Sequence, residues 1–73
     1  MPPTASRHIA ATVRAEMARQ GITQTDLADQ LGTSQAHISR RLTGSVSFRA
    51  DELIRIAEIL GVPLSKLMGK VTA

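Results

Sequence analysis

Apolar residues recur along the 73-residue chain at intervals of three and four, and no run of four or more residues alternates as a strand would. Ile9, Val13 and Met17 fall at i, i+4 and i+8 and predict a first helix over roughly Ser6 to Arg19. Gly21 ends it, where a left-handed cap is easiest to form. Thr23-Gln24-Thr25-Asp26 then has the Ser/Thr-x-x-acid form of a helix start, and Leu27, Ala28 and Leu31 give a short second helix one face to bury before Gly32 stops it. Thr33 is positioned to cap a third helix over about Ser34 to Leu42, with Ile38 and Leu42 inward and Gly44 closing it. Ser47 is placed to cap a fourth helix, whose Leu53, Ile56, Ala57 and Leu60 share a core-facing stripe up to Gly61. Pro63 suits the first turn of a short fifth helix through Met68. The pattern predicts a compact five-helix, all-α domain over residues 6–68, with residues 1–5 a flexible N-terminal arm and residues 69–73 a frayed C-terminal tail.

Composition narrows what such a domain can do. Phe48 is the only aromatic residue, so the core must be aliphatic, with Met17, Met68 and Phe48 expected to belong to it. Without cysteine there is no disulfide, thiolate metal site or cysteine nucleophile. Nothing approaches the roughly 18 consecutive apolar residues of a membrane span, and residues 1–8 lack the apolar stretch of a secretory signal, so a cytoplasmic protein is expected. No acid and base stand at catalytic spacing, and no glycine-rich phosphate loop or metal-ligand cluster occurs. Neither an enzyme, a cofactor, a metal nor a small-molecule substrate is expected.

The net charge is +3, from nine Lys and Arg against six Asp and Glu. Its placement is uneven. From Gln30 to Ala50 there is no acid, while Arg40, Arg41 and Arg49 lie inside and account for the whole surplus. His37 shares the window, but no acid is near it in sequence, and with His8 far away a metal site is not expected. Charge alone leaves two readings open, a solvated basic face or a footprint for an anionic polymer.

Shape decides between them. Helices of about two turns joined by Gly32-Thr33 have too short a connection to pack side by side as a hairpin, which is the arrangement of a helix-turn-helix. Ala28 suits a close crossing of the two helices. With Ile38 and Leu42 inward, Gln35, Ala36, Ser39 and Arg40 fall on or toward an outer face that is small, polar and acid-free.

The stretch Gly21-Ile22-Thr23-Gln24, Leu27-Ala28, Leu31-Gly32-Thr33-Ser34-Gln35, Ile38-Ser39 and Gly44 resembles the helix-turn-helix of the Cro/C1-type family, which includes the lambdoid phage repressors. Val46-Ser47-Phe48 through Leu67 resembles that family's fourth and fifth helices, so the likeness spans about residues 9 to 68. It implies a lambda-repressor-like fold and sequence-specific binding of double-stranded DNA by a transcriptional repressor of phage or bacterial type. It also implies roles. Gln24 matches a glutamine that touches a phosphate and braces the next glutamine, and Gln35 matches one that reads adenine, whose N7 and N6 suit a side-chain amide. Ala36 and Arg40 match further base-contacting positions, with Ser39 on the same face. Ser34, Thr43 and Ser45 match backbone-contacting places, and Arg49 is expected to add a charge there. His37 is expected on an exposed flank, and Arg41 is either turned to DNA, solvated or laid against the first helix.

One departure is informative. Where many relatives bury an arginine of helix 1 against a glutamate of helix 3, this chain has Met17 and Leu42. Exchanging both partners avoids stranding a charge, so the two are expected to meet in the core. A homodimer is expected by analogy, with Ile54, Ile59, Leu64, Met68 and Val71 the apolar residues available for its contact. The other class of function is an antitoxin-like protein-interaction module that regulates its own expression through DNA, although no additional toxin-binding segment stands out.

Overall fold

The computed structural model describes residues 4–68. Five helices follow in order: α1 (Thr4–Gln20), α2 (Gln24–Leu31), α3 (Gln35–Leu42), α4 (Ala50–Leu60) and α5 (Leu64–Met68). The all-α expectation holds, with no strand among the described residues. Helix α1 begins at Thr4, so Thr4 and Ala5, expected in the arm, are helical. The rest of the expected arm, the expected tail and Val71 lie outside the described residues.

Two capping residues differ from the sequence expectation, each for a specific reason. The cap of α3 is Ser34, not Thr33. Thr33 donates its N–H to the Ala28 carbonyl (3.0 Å), which makes it part of the turn closing α2 around the left-handed Gly32 (φ 71°). Ser34 is therefore the extended residue, and its Oγ accepts the His37 N–H at 3.1 Å. The cap of α4 is Arg49, not Ser47. The Ser47 hydroxyl is already bonded to the hydroxyl of Ser6 on α1, and the Arg49 N–H is instead satisfied by Glu52 Oε1 at 2.7 Å. The capping box at α2 forms as expected: Thr23 Oγ1 accepts the Asp26 N–H (3.1 Å) and Asp26 Oδ2 accepts the Thr23 N–H (3.0 Å). Those bonds from Thr23 hold the Asp26 carboxyl below its ordinary pKa.

Val13 and Met17 from α1, Leu27 and Ala28 from α2, Ile38 and Leu42 from α3, four residues of α4 and Leu67 of α5 form one buried cluster. Phe48 and Met68 pack against it half-buried. Met17 and Leu42 are both buried in this cluster and line the same groove, without the charged pair the family likeness supplies at those positions.

The long helices also close the ends of the others. Arg14 Nη1 donates to the Leu42 carbonyl at the end of α3, and Arg55 Nη2 to Gln30 near the end of α2 (3.1 Å). Gln20 Nε2 donates to Leu60 at the end of α4 (2.8 Å). These bonds satisfy carbonyls that a helix terminus leaves without an internal partner. Glu16 is a buried acid held by Arg19 (2.5 Å) and by Lys66 of α5 (3.0 Å). Hydrogen bonds from Arg19 and Lys66 outweigh burial and bring its pKa down to about 2.

Candidate nucleic-acid interface

With about 100° of turn per residue, α3 divides into three faces. Ile38 and Leu42 face the core and are 0% and 1% exposed. Gln35, Ala36 and Arg40 are exposed on the outer face, with Ser39 half-buried beside them. Arg40 has no ion pair among the described residues, so its charge is free on that face. The structure thus brings the four expected base-reading residues to one side of one helix.

The residues expected at the DNA backbone surround this face. Ser34 is exposed while capping α3. Thr43 Oγ1 donates to the Arg40 carbonyl (2.9 Å) and lies 3.0 Å from Ser45 Oγ, which shapes the exposed turn after α3. Arg49 pairs with Asp51 at 3.2 Å, but both side chains are about 70% exposed, and such a pair holds only weakly. Gln24 is half-buried on a groove of about 270 Å³ whose lining includes Arg14, Met17 and Leu42.

One family-based detail is not met: the side chain that meets Gln35 is Thr25, whose Oγ1 donates to Gln35 Oε1 at 3.3 Å, rather than Gln24. Thr25 is one residue further into α2 and still lies above the start of α3.

The third face of α3 carries the larger correction. His37 and Arg41, one turn apart, turn toward α4 and converge on Glu52. His37 Nε2 lies 2.7 Å from Glu52 Oε2, and Arg41 Nε donates to Glu52 Oε1 at 3.0 Å. Arg41 is neither solvated nor against α1; its side chain is 13% exposed. His37 does have an acid beside it. The window without acids in sequence is not without one in space, because Glu52 stands two residues beyond Ala50 and folds back over α3. Burial by itself would raise the Glu52 carboxyl, but the bonds from His37, the Arg49 N–H and Arg41 together hold it below its ordinary value. In the sequence Glu52 stands three residues after Arg49, the spacing of the reverse half of a capping box, but arginine is not a capping residue type and so did not mark the position. Arg14 had no local signal either, since its bond to Leu42 spans 28 positions.

The profile of the helix-turn-helix family of Cro/C1 type matches residues 13–67, three quarters of the chain. The chain belongs to that family. The helix-turn-helix is α2 and α3 joined through Gly32, and such regulators bind double-stranded DNA. A solved structure of the clp gene regulator ClgR from C. glutamicum is similar in fold, with a TM-score of 0.83, 21% sequence identity, and coverage of 90% of this chain and 86% of that one. No curated protein sequence matches. The family and fold of this helix-turn-helix domain are those of DNA-binding transcription regulators rather than enzymes. Among the described residues no helix is long and apolar enough to cross a membrane, and no group of three His, Asp or Glu could hold a metal ion.

Proposed function

We propose that the protein is a sequence-specific repressor of phage or bacterial type that acts in the cytoplasm. Its α3 lies in the major groove and α2 crosses above it against the backbone. The observation that carries this reading is the outer face of α3: an amide, a methyl and a guanidinium are exposed together, without an acid among them. Gln35 reads adenine, Ala36 contacts a thymine methyl, and Arg40 reads guanine, with Ser39 adding a hydroxyl at the edge. Gln24, Ser34, Thr43, Ser45 and Arg49 hold the sugar-phosphate backbone and set the register of α3. Repression follows from occupying a promoter that polymerase needs.

A homodimer belongs to the same proposal. Among the described residues of the expected apolar set, Ile54 (50% exposed) and Leu64 (39%) remain exposed, whereas Ile59 and Met68 pack against the core. Two copies would bind half-sites about one helical turn apart.

Selection of bound sequences from a random DNA pool tests both parts. A palindrome is expected. A lone half-site would remove the dimer, and no enrichment would remove the DNA reading in favour of a protein-interaction module. On the selected site, Gln35→Ala should cost about 1–3 kcal/mol and relax the preference at one base pair. Equal loss on selected and random DNA would contradict its assignment.

A further inference from the structure

Three basic groups of α3, namely His37, Arg40 and Arg41, stand within five residues, yet only Arg40 is without an acidic partner among the described residues. A carboxylate from another helix occupies the other two. Both Glu52 oxygens are engaged: Oε2 with His37 Nε2 (2.7 Å), and Oε1 with Arg41 Nε (3.0 Å) and the Arg49 N–H (2.7 Å). The side chains of Glu52 and Arg41 are 16% and 13% exposed, so that pair is sheltered from screening far better than a surface bridge. Glu52 is also the third residue of α4, where the helix dipole favours a negative charge and holds it in place.

The cleft between α3 and α4 around these groups measures about 310 Å³ and also bears Arg49, Asp51 and Arg55. Arg49 is paired with Asp51, and Arg55 is bonded to the Gln30 carbonyl. Of the two acids in the cleft, Glu52 is the one bonded to His37 and Arg41, while Asp51 is about 70% exposed and reaches only Arg49.

Two consequences follow for a helix lying in a groove between phosphates. A free arginine one residue from Arg40 would add an attraction to any DNA, whatever its sequence, because phosphate contacts carry no sequence information. A helix tied at positions one turn apart is also fixed about its own axis, and that rotation decides which side chains face the bases. We infer that Glu52 is a specificity-determining residue, which withdraws Arg41 and His37 from the DNA and sets the rotation of α3, so that affinity depends on its outer face. This rests on the DNA reading proposed above.

The test compares binding to the selected sequence and to random duplex DNA across a salt series, for the wild type, Glu52→Gln, Arg41→Gln and the double variant, each normalised to its folded fraction by circular dichroism. Glu52→Gln is expected to weaken binding to the selected site by about 2- to 30-fold. It should tighten binding to random DNA and steepen the salt slope by about 0.9, the effect of one added phosphate contact, or about 3.5-fold between 50 and 200 mM salt. The double variant should return the random-DNA slope to the wild-type value. Arg41→Gln alone should leave that slope unchanged, because Arg41 is already withheld, and this arm stands even where Glu52→Gln fails to fold.

Loss in equal proportion on both DNAs for Glu52→Gln would reduce Glu52 to a structural residue and overturn the inference. A slope that flattens by about 0.9 in Arg41→Gln would overturn it too, since Arg41 would then already touch phosphate. A wild type that discriminates between sequences while these outcomes fail leaves the DNA reading standing; a wild type that enriches no sequence removes both.

Discussion

Replacing Gly44 by alanine tests how closely α1 is held against the end of α3. Gly44 has φ of 82°, and a Cβ built there would sit 3.3 Å from Arg7 Cγ and 3.4 Å from Arg7 Cα. Gly32, with φ of 71°, has the same backbone demand but nothing within 4 Å of such a Cβ. Left-handed backbone costs an L-residue about 1–2 kcal/mol, partly offset by about 0.4–1 kcal/mol from the stiffer unfolded chain. Gly32→Ala should therefore lose on the order of 1 kcal/mol. Gly44→Ala carries the same strain plus the contact with Arg7, part of which is backbone that cannot swing aside, and overpacking of this kind adds about 1–3 kcal/mol. At about 4–8 °C per kcal/mol for a domain of this size, the melting temperatures of the two variants should be well separated. Thermal unfolding followed at 222 nm measures both. Equal melting temperatures would refute the reasoning, because the close approach of α1 to the exit of α3 would then carry no energy.

Three further outcomes are expected. Glu16 has a folded pKa of about 2, below the 4.5 of a free carboxyl, so its contribution is fully present above about pH 4.5 and is lost as pH falls toward 2; the stability gap between wild type and Glu16→Gln, from urea titrations at several pH values, should close over that interval, and a gap independent of pH would contradict it. Met17→Arg and Leu42→Glu should each cost about 3–5 kcal/mol by stranding a charge in the core, while the double variant recovers most of the loss if the side chains meet; a double variant no more stable than the singles would place them apart. Arg49→Ala should weaken selected and random DNA alike and flatten the salt dependence, as measured by fluorescence anisotropy, whereas loss confined to the selected site would move Arg49 from the backbone to a base.

The fold was legible in the sequence to the extent that it is written in local spacing. Stops at Gly21, Gly32 and Gly61, the Thr23–Asp26 capping box and the stripes of α1 and α4 each involve residues within about two turns, and each appears in the structure; α3 instead ends on Thr43, with Gly44 the left-handed residue after it. Where two capping residues stood side by side, at Thr33 and Ser34, local chemistry could not rank them. The turn that closes α2 decided, by engaging the Thr33 N–H. Ser47 failed as a cap for a longer-range reason, its bond to Ser6, 41 residues away. The same division holds at the interface. The outer face of α3 follows from which residues of one short helix point inward. The pairing of His37 and Arg41 depends on the return of α4 across α3, and a charge count along the chain cannot register that.

The three helix ends closed by Arg14, Gln20 and Arg55 bear on how readily this domain could acquire a new target. Every one of these donors lies on α1 or α4, and none lies on the exposed side of α3. Gln35, Ala36 and Arg40 could then be randomised with little burden on the scaffold, since exposed substitutions of this kind usually shift stability by no more than about 0.5 kcal/mol. On the proposed reading, the letters that would be read and the frame that displays them are held by separate residues, so a descendant can change its vocabulary without rebuilding the page.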